Sequence, residues 1–181
     1  MYRAITFLAM QRDVSLDDTA AIGALARQAT LEVSDRGVTV DGLEATSAIR
    51  TAAVTAAVSK VAANSEVRAD MRARQRQWAD EHGGGVIEGR DIGSVVFTDA
   101  EWKLYLTATP RTRAQRRVAE AGGDVDEIEA AIAARDHYDS SRTDSPLTFA
   151  DGSIVVDTTG SSIDEVLAHI DEIMSKGPTA E

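Results

Sequence analysis

The stretch Gly85-Val86-Ile87-Glu88-Gly89-Arg90-Asp91-Ile92-Gly93-Ser94-Val95-Val96-Phe97 carries an apolar run straight into a glycine-flanked Arg-Asp pair. The run reads as a strand, and strands of open α/β sheets hold their loops over a ligand crevice at the carboxyl edge. Gly89 and Gly93 allow that loop to approach a substrate closely. A strand delivering a cation and a carboxylate to such a place suits a polar ligand. The plainer alternative is a strand-turn-strand with a surface ion pair.

Working outward, the pattern after residue 85 alternates strands with helices. Trp102 to Ala108 reads as a buried strand, and Thr109-Pro110 starts a helix with proline at its tolerated first position. Gly122-Gly123-Asp124 ends that helix, and another runs from about Val125 to Tyr138. A polar loop to Ala150 follows, then a strand from Ser153 to Asp157, a turn at Thr158-Thr159-Gly160 and a helix from Ile163. Ser162 and Glu165 have capping-box spacing there, and the tail from Lys176 to Glu181 is expected to fray. This order predicts βαβ units around a parallel sheet.

Upstream, Asp17 and Asp18 precede a helical pattern to about Ala29. Leu31-Glu32-Val33 and Val38-Thr39-Val40 flank Ser34-Asp35-Arg36-Gly37 as a hairpin. Residues 44–63 read as one or two short helices. Ser65 is expected to cap a longer helix that runs to about His82 and is closed by Gly83-Gly84-Gly85.

The 181 residues suffice for one domain with inserted lobes. With no cysteine, a disulfide scaffold and a cysteine-ligated zinc site are both excluded, and a reducing, cytoplasmic setting is expected. A net charge of -11 argues against general nucleic-acid binding, and no leader or membrane-length apolar run is present. Sixteen of the 19 basic residues are arginine, whose planar fork suits phosphate, although coding bias explains a bare count equally well.

Position separates these arginines. Arg113, Arg116 and Arg117 share one helical face, which needs either an anion or relief by Glu120. Arg135, Asp139 and Arg142 are spaced four and three apart. They project cation, carboxylate and cation to one side, for a phosphorylated sugar or for an i,i+4 ion pair. Arg68, Arg72 and Arg76 line a further face that Asp70, Asp80 and Glu81 can solvate. No Gly-x-Ser-x-Gly, His-Glu-x-x-His or Gly-x-Gly-x-x-Gly occurs, and Arg90-Asp91 stands where a Walker A loop carries Lys-Ser/Thr.

In combination, several segments resemble bacterial cytidylate kinases of the nucleoside monophosphate kinase group. They are Met1-Tyr2-Arg3-Ala4, Ile49-Arg50-Thr51 with Ser59 and Val61-Ala62-Ala63, Glu88 to Phe97, Arg113 to Arg117, Arg135-Asp136 through Arg142, Ser145-Pro146-Leu147 and Val156-Asp157-Thr158-Thr159. The resemblance implies an α/β, P-loop-kinase-like three-layer parallel sheet in a single domain over 1–181. A monophosphate-binding insert would occupy about 30–64 and a helical lid about 111–145.

The same resemblance implies phosphoryl transfer from ATP with Mg2+ to CMP or dCMP. Tyr2 and Arg3 would meet the nucleoside monophosphate, Arg3 on its phosphate. Ser59, Arg68 and Asp91 would read cytosine, a carboxylate accepting from its exocyclic amine and repelling the uracil carbonyl. Arg90 and Arg142 would clamp the acceptor phosphate, and Arg135 with Asp139 would serve the ribose and the transfer site. Arg113 and Arg117 would lie in the lid over ATP, and no metal ligand is assigned. A cytoplasmic monomer is expected, with no nucleic-acid or membrane partner.

In the family, a strand, a glycine-rich Lys-Ser/Thr loop, a helix and a second strand precede the segment matching Met1-Tyr2-Arg3. These 181 residues hold no such loop. A start codon assigned downstream of the true one is therefore expected, with a chain that binds CMP but does not transfer phosphate alone. A non-catalytic CMP-binding or regulatory remnant is the alternative. The absent strand is also expected to leave unpaired sheet edges and an open apolar seam.

Overall fold

A computed structural model describes residues 1–34, 36–141, 144 and 146–177. The hairpin-turn residue Asp35, the loop residues 142, 143 and 145, and the tail expected to fray from 178 onward lie outside the described residues. The chain divides into two compact units, Met1–Val86 and the residues from Ile87 onward.

The first unit is built on a helix that the sequence pattern above leaves unassigned. α1 (Tyr2–Gln11) buries Ala4, Ile5, Leu8 and Ala9 completely, a three- and four-residue spacing that puts all four on one face. Against this core pack Ile22, Leu25 and Ala26 of α2 (Thr19–Gln28), Val61 of α3 (Ala52–Ala62), and Val67 and Met71 of α4 (Ser65–His82). Asp18 caps α2 through the amide of Ala21 at 2.9 Å. The expected hairpin forms as β1 (Leu31–Ser34) and β2 (Gly37–Val40), antiparallel, with Leu31 opposite Val40 and Val33 opposite Val38. A short β3 (Leu43–Glu44) completes the sheet. Asp41 fastens it, accepting from the Thr30 amide at 2.7 Å and from Arg12 Nη2 at 2.6 Å.

Asn64, and not the expected Ser65, caps α4, accepting from the amides of Glu66 and Val67 at 3.0 and 3.2 Å, and Ser65 is the first helical residue. Asn64 Nδ2 also donates to the Thr19 carbonyl at 2.8 Å and so ties α4 to the start of α2. Gly83, at φ 70°, closes the helix in the left-handed conformation that glycine adopts without a Cβ penalty.

In the second unit β4 (Leu104–Thr107) pairs in parallel with β5 (Ile154–Asp157), Leu104 opposite Ile154 and Thr107 opposite Asp157. Between them run α5 (Pro110–Ala121) and α6 (Val125–Ser140), and α7 (Ile163–Ser175) follows β5. The helix starts agree with the sequence. Thr109 caps α5 with Pro110 behind it, Asp124 caps α6, and Ser162 with Glu165 forms the reciprocal box on α7. The α/β class with parallel pairing therefore stands.

The strand expected after Gly85 does not form. Residues 84–89 are irregular, Val86 is fully exposed, and Ile92–Val96 coils as a π-helical turn whose Phe97 amide reaches the Ile92 carbonyl at 2.7 Å. A strand exists through a neighbour that takes its backbone groups. Among the described residues β4 pairs with β5 alone, and 86–90 has no ladder. Leu106 of β4 and Val155 of β5 remain exposed, as do Ile163 and Leu167 of α7.

Candidate active site

Each unit carries one cluster of the singled-out residues. In the first unit, α1 faces α3 and the start of α4. Arg3 sends Nη1 to the Ile49 carbonyl and to Thr55 Oγ1, both at 2.8 Å. Arg68 is 1% exposed, donates from Nη1 to the Ala62 carbonyl at 3.1 Å and stands 5.8 Å above the Tyr2 ring. Ala62 ends α3, so its carbonyl lacks an intrahelical partner and welcomes this cation. Thr55, Ser59 and Ala62 are spaced four and three apart and therefore share one face of α3. Half-buried Ser59 lies on that face between the anchor points of Arg3 and Arg68. The face expected to be solvated thus contains one arginine, Arg68, drawn wholly inside.

In the second unit the cluster centres on two carboxylates of α6. Asp139 is 1% exposed, and its Oδ2 lies 3.3 Å from Arg90 Nε and 3.8 Å from Arg135 Nε, the latter one helical turn away. Asp136 is 27% exposed and takes the fork of Arg113 from α5, with Nη2 donating to Oδ1 at 3.2 Å and Nη1 to Oδ2. Arg90 Nη2 stands 3.4 Å from the same Oδ1. Burial pushes the Asp136 carboxyl up, but the hydrogen bond from Arg113 and the charges of Arg113, Arg90 and Arg135 outweigh it. The net result lies below the usual carboxylate range. Three guanidiniums thus gather at these two carboxylates, a cationic setting that suits an anionic ligand.

Asp91, next to Arg90, is 8% exposed and opens the π-helical turn, its carbonyl accepting from the Val95 amide at 2.9 Å. Arg117 is exposed, with no ion pair or hydrogen bond to a described residue. Arg142 lies outside the described residues.

Arg116 shares its helical face with Arg113 and Arg117 and is exposed, but its guanidinium is held by the turn after β5. Nη1 donates to Thr158 Oγ1 at 2.9 Å, and Nη2 donates to the Thr158 carbonyl at 2.5 Å and to the Ser161 carbonyl at 3.3 Å. Mutual repulsion on this face is therefore relieved by Asp136 and by backbone carbonyls, and neither partner is Glu120. Asp136 has no site role in the sequence reading, because no helical spacing links it to Arg113, 23 residues away. The signal available was the Gly122-Gly123-Asp124 break, which makes α5 and α6 an antiparallel pair of facing helices.

Among the described residues no three His, Asp or Glu side chains converge as a metal site requires, and no helix is long and apolar enough to cross a membrane.

Comparison with known proteins sets these clusters in context. The family model described as cytidylate kinase matches residues 1–176. A cytidylate kinase of Geobacillus sp. (strain WCH70) is 44% identical over 185 residues, covering 97% of this chain and 82% of that protein. A cytidylate kinase of Desulfitobacterium hafniense (strain Y51) is 44% identical over 94% of this chain and 76% of its own length. A bifunctional pantoate ligase/cytidylate kinase of Synechococcus sp. (strain RCC307) is 44% identical over 94% of this chain, which corresponds to 35% of that longer protein.

Proposed function

Because the chain belongs to the cytidylate kinase family, a family of nucleoside monophosphate kinases, we propose that its phosphate acceptor is CMP or dCMP and that residues of each cluster serve that nucleotide. Phosphate would come from ATP with Mg2+. The observation that supports this most strongly is the gathering of Arg90, Arg113 and Arg135 around Asp136 and Asp139. The arrangement fits a phosphate better than a surface network, because Asp139 is buried while the arginines remain partly exposed.

In this reading Tyr2 and Arg3 meet the nucleotide, and Ser59, Arg68 and Asp91 read the base. Arg90 and Arg142 clamp the acceptor phosphate, with Arg135 and Asp139 at the ribose and the transferring group. Arg113 and Arg117 would neutralise charge on the transferring phosphoryl group, a role worth on the order of 10³–10⁵ in rate. Transfer also needs backbone amides, a lysine and a hydroxyl to cradle the ATP phosphates. These 181 residues hold no Gly-x4-Gly-Lys-Ser/Thr loop. The reading is therefore of a chain that binds CMP but does not turn over ATP alone, with no nucleic-acid or membrane partner, monomeric and cytoplasmic. A non-catalytic CMP-binding module is the second reading, favoured by the same feature.

Isothermal titration with CMP, UMP and ATP tests the proposal. Asp91→Ala is expected to cost about 1–3 kcal/mol of CMP affinity, the magnitude of removing one partner of a buried polar contact, and to narrow the preference for CMP over UMP. Equal affinity for CMP and UMP in the unaltered chain refutes the base-reading assignment. ATP-dependent formation of CDP by the 181 residues alone sinks the claim of incompetence and the non-catalytic reading together.

A further inference from the structure

Asp136 is a carboxylate for which the acceptor-site reading has no use, yet it touches two of the arginines which that reading employs. Its contacts are unequal. Arg113 engages both oxygens as a fork, whereas Arg90 approaches one oxygen at 3.4 Å, longer than a good charge-assisted hydrogen bond. Arg90 is held independently by Asp139, which is 1% exposed, at 3.3 Å. Asp136 is accessible, at 27% exposure, and Arg90 Nη1 has no hydrogen bond or ion pair to a described residue. The Arg90–Asp136 contact is thus one that an incoming anion can displace at little cost.

We propose that Asp136 is a positioning residue, a built-in counter-ion that holds Arg90 and Arg113 together and yields Arg90 to the acceptor phosphate, linking occupancy of the site to α5. The proposal rests on the reading of Arg90 as a phosphate clamp. While the site is empty, Asp136 forms ion pairs with both Arg113 and Arg90, in the field of Arg135 as well. When a phosphate takes Arg90, Asp136 is left wholly to Arg113, so acceptor binding firms the attachment of α5 to α6. The carboxylate also competes with the phosphate, since two like charges are drawn to one guanidinium.

The test compares Asp136→Asn with the unaltered full chain at low ionic strength, titrating CMP, cytidine and inorganic tripolyphosphate. Removing one negative charge from beside the anion is expected to tighten CMP and tripolyphosphate by about 5–30-fold and to leave cytidine unchanged, with the gain fading as salt screens it. Asp136→Glu, which keeps the charge, should stay close to the unaltered chain. Unchanged or weaker CMP and tripolyphosphate binding in Asp136→Asn overturns the proposal, as does an equal change for cytidine, which marks a merely structural role. Tripolyphosphate separates this failure from that of the CMP reading. A chain that binds tripolyphosphate but not CMP refutes the base assignment and leaves the Asp136 comparison decisive. If Asp136→Asn loses its folding transition, Arg113→Lys, which keeps the positive charge but gives up the fork on Asp136, supplies the converse. Asp136 is then committed to Arg90, anion affinity falls about 5–30-fold, and an unchanged affinity overturns the proposal.

Discussion

Arg116→Met tests an arginine that holds the fold, set apart from the neighbours proposed to serve a ligand. The substitution keeps much of the apolar stem and removes three hydrogen bonds, to Thr158 Oγ1, the Thr158 carbonyl and the Ser161 carbonyl. A charged donor contributes about 1.5–3 kcal/mol when its contacts are buried. Arg116 is exposed and the Ser161 contact is long, so solvent screening reduces the expected loss to about 1–2 kcal/mol. The Thr158 amide and hydroxyl keep their own bonds to the Thr107 carbonyl at 2.8 and 3.0 Å, and the β4–β5 pair survives. The damage is confined to the junction of α5 with the turn after β5. Opening there becomes about 5–30 times more frequent. Native-state hydrogen exchange reads this directly: the Ser161 amide, bonded to the Thr158 carbonyl at 3.2 Å, should exchange faster by that factor, while the amides of α1 stay unchanged. Unaltered exchange at Ser161, or a loss of CMP affinity as large as that of Arg90→Met, refutes the internal role.

Two further outcomes follow from particular contacts. Asn64→Ala removes a cap on two α4 amides and the tie to the Thr19 carbonyl, and should cost about 1–2 kcal/mol, seen as a lower urea midpoint at constant slope; an unmoved midpoint contradicts the assignment. The Asp136 carboxyl lies below its ordinary value in the fold, so its contribution is fully present above an unfolded carboxylate value of about 4 and is lost as pH falls through the folded value. Urea titrations should show the unaltered chain more stable than Asp136→Asn near neutrality, with the two converging as acid protonates the group. A difference that persists in acid would mean that the charge is not its source.

The elements legible in the sequence are those whose cause is local. The caps at Asp18, Asp124 and Ser162, the proline at the head of α5 and the glycine ending α4 act within a turn of their own position. The β1–β2 hairpin was equally readable, because alternation and a polar turn are short-range signals. α1 escaped notice although Ala4, Ile5, Leu8 and Ala9 carry helical spacing, because no capping residue announces it: Met1 makes no side-chain cap. The Gly85–Phe97 stretch failed in the opposite sense. Its apolar run has strand character, but a strand is completed by a neighbour, and residues 86–90 have no ladder.

The candidate site divides along the same line. That Arg135 and Asp139 share a face, and that Ser59 lies one turn from Thr55, follows from 3.6 residues per turn and needed no coordinates. The sequence by itself determined the residue types, the helix faces, the order of motifs and through them the family. Only the tertiary structure decided which arginine meets which partner. Arg116 is spent on carbonyls of the β5–α7 turn, Arg113 on Asp136, and Arg68 is buried over the Tyr2 ring. The physical reason is that a guanidinium on a long, flexible stem accepts a carboxylate, a carbonyl or a ring within reach. Which one lies within reach is set by the packing of segments distant in the chain.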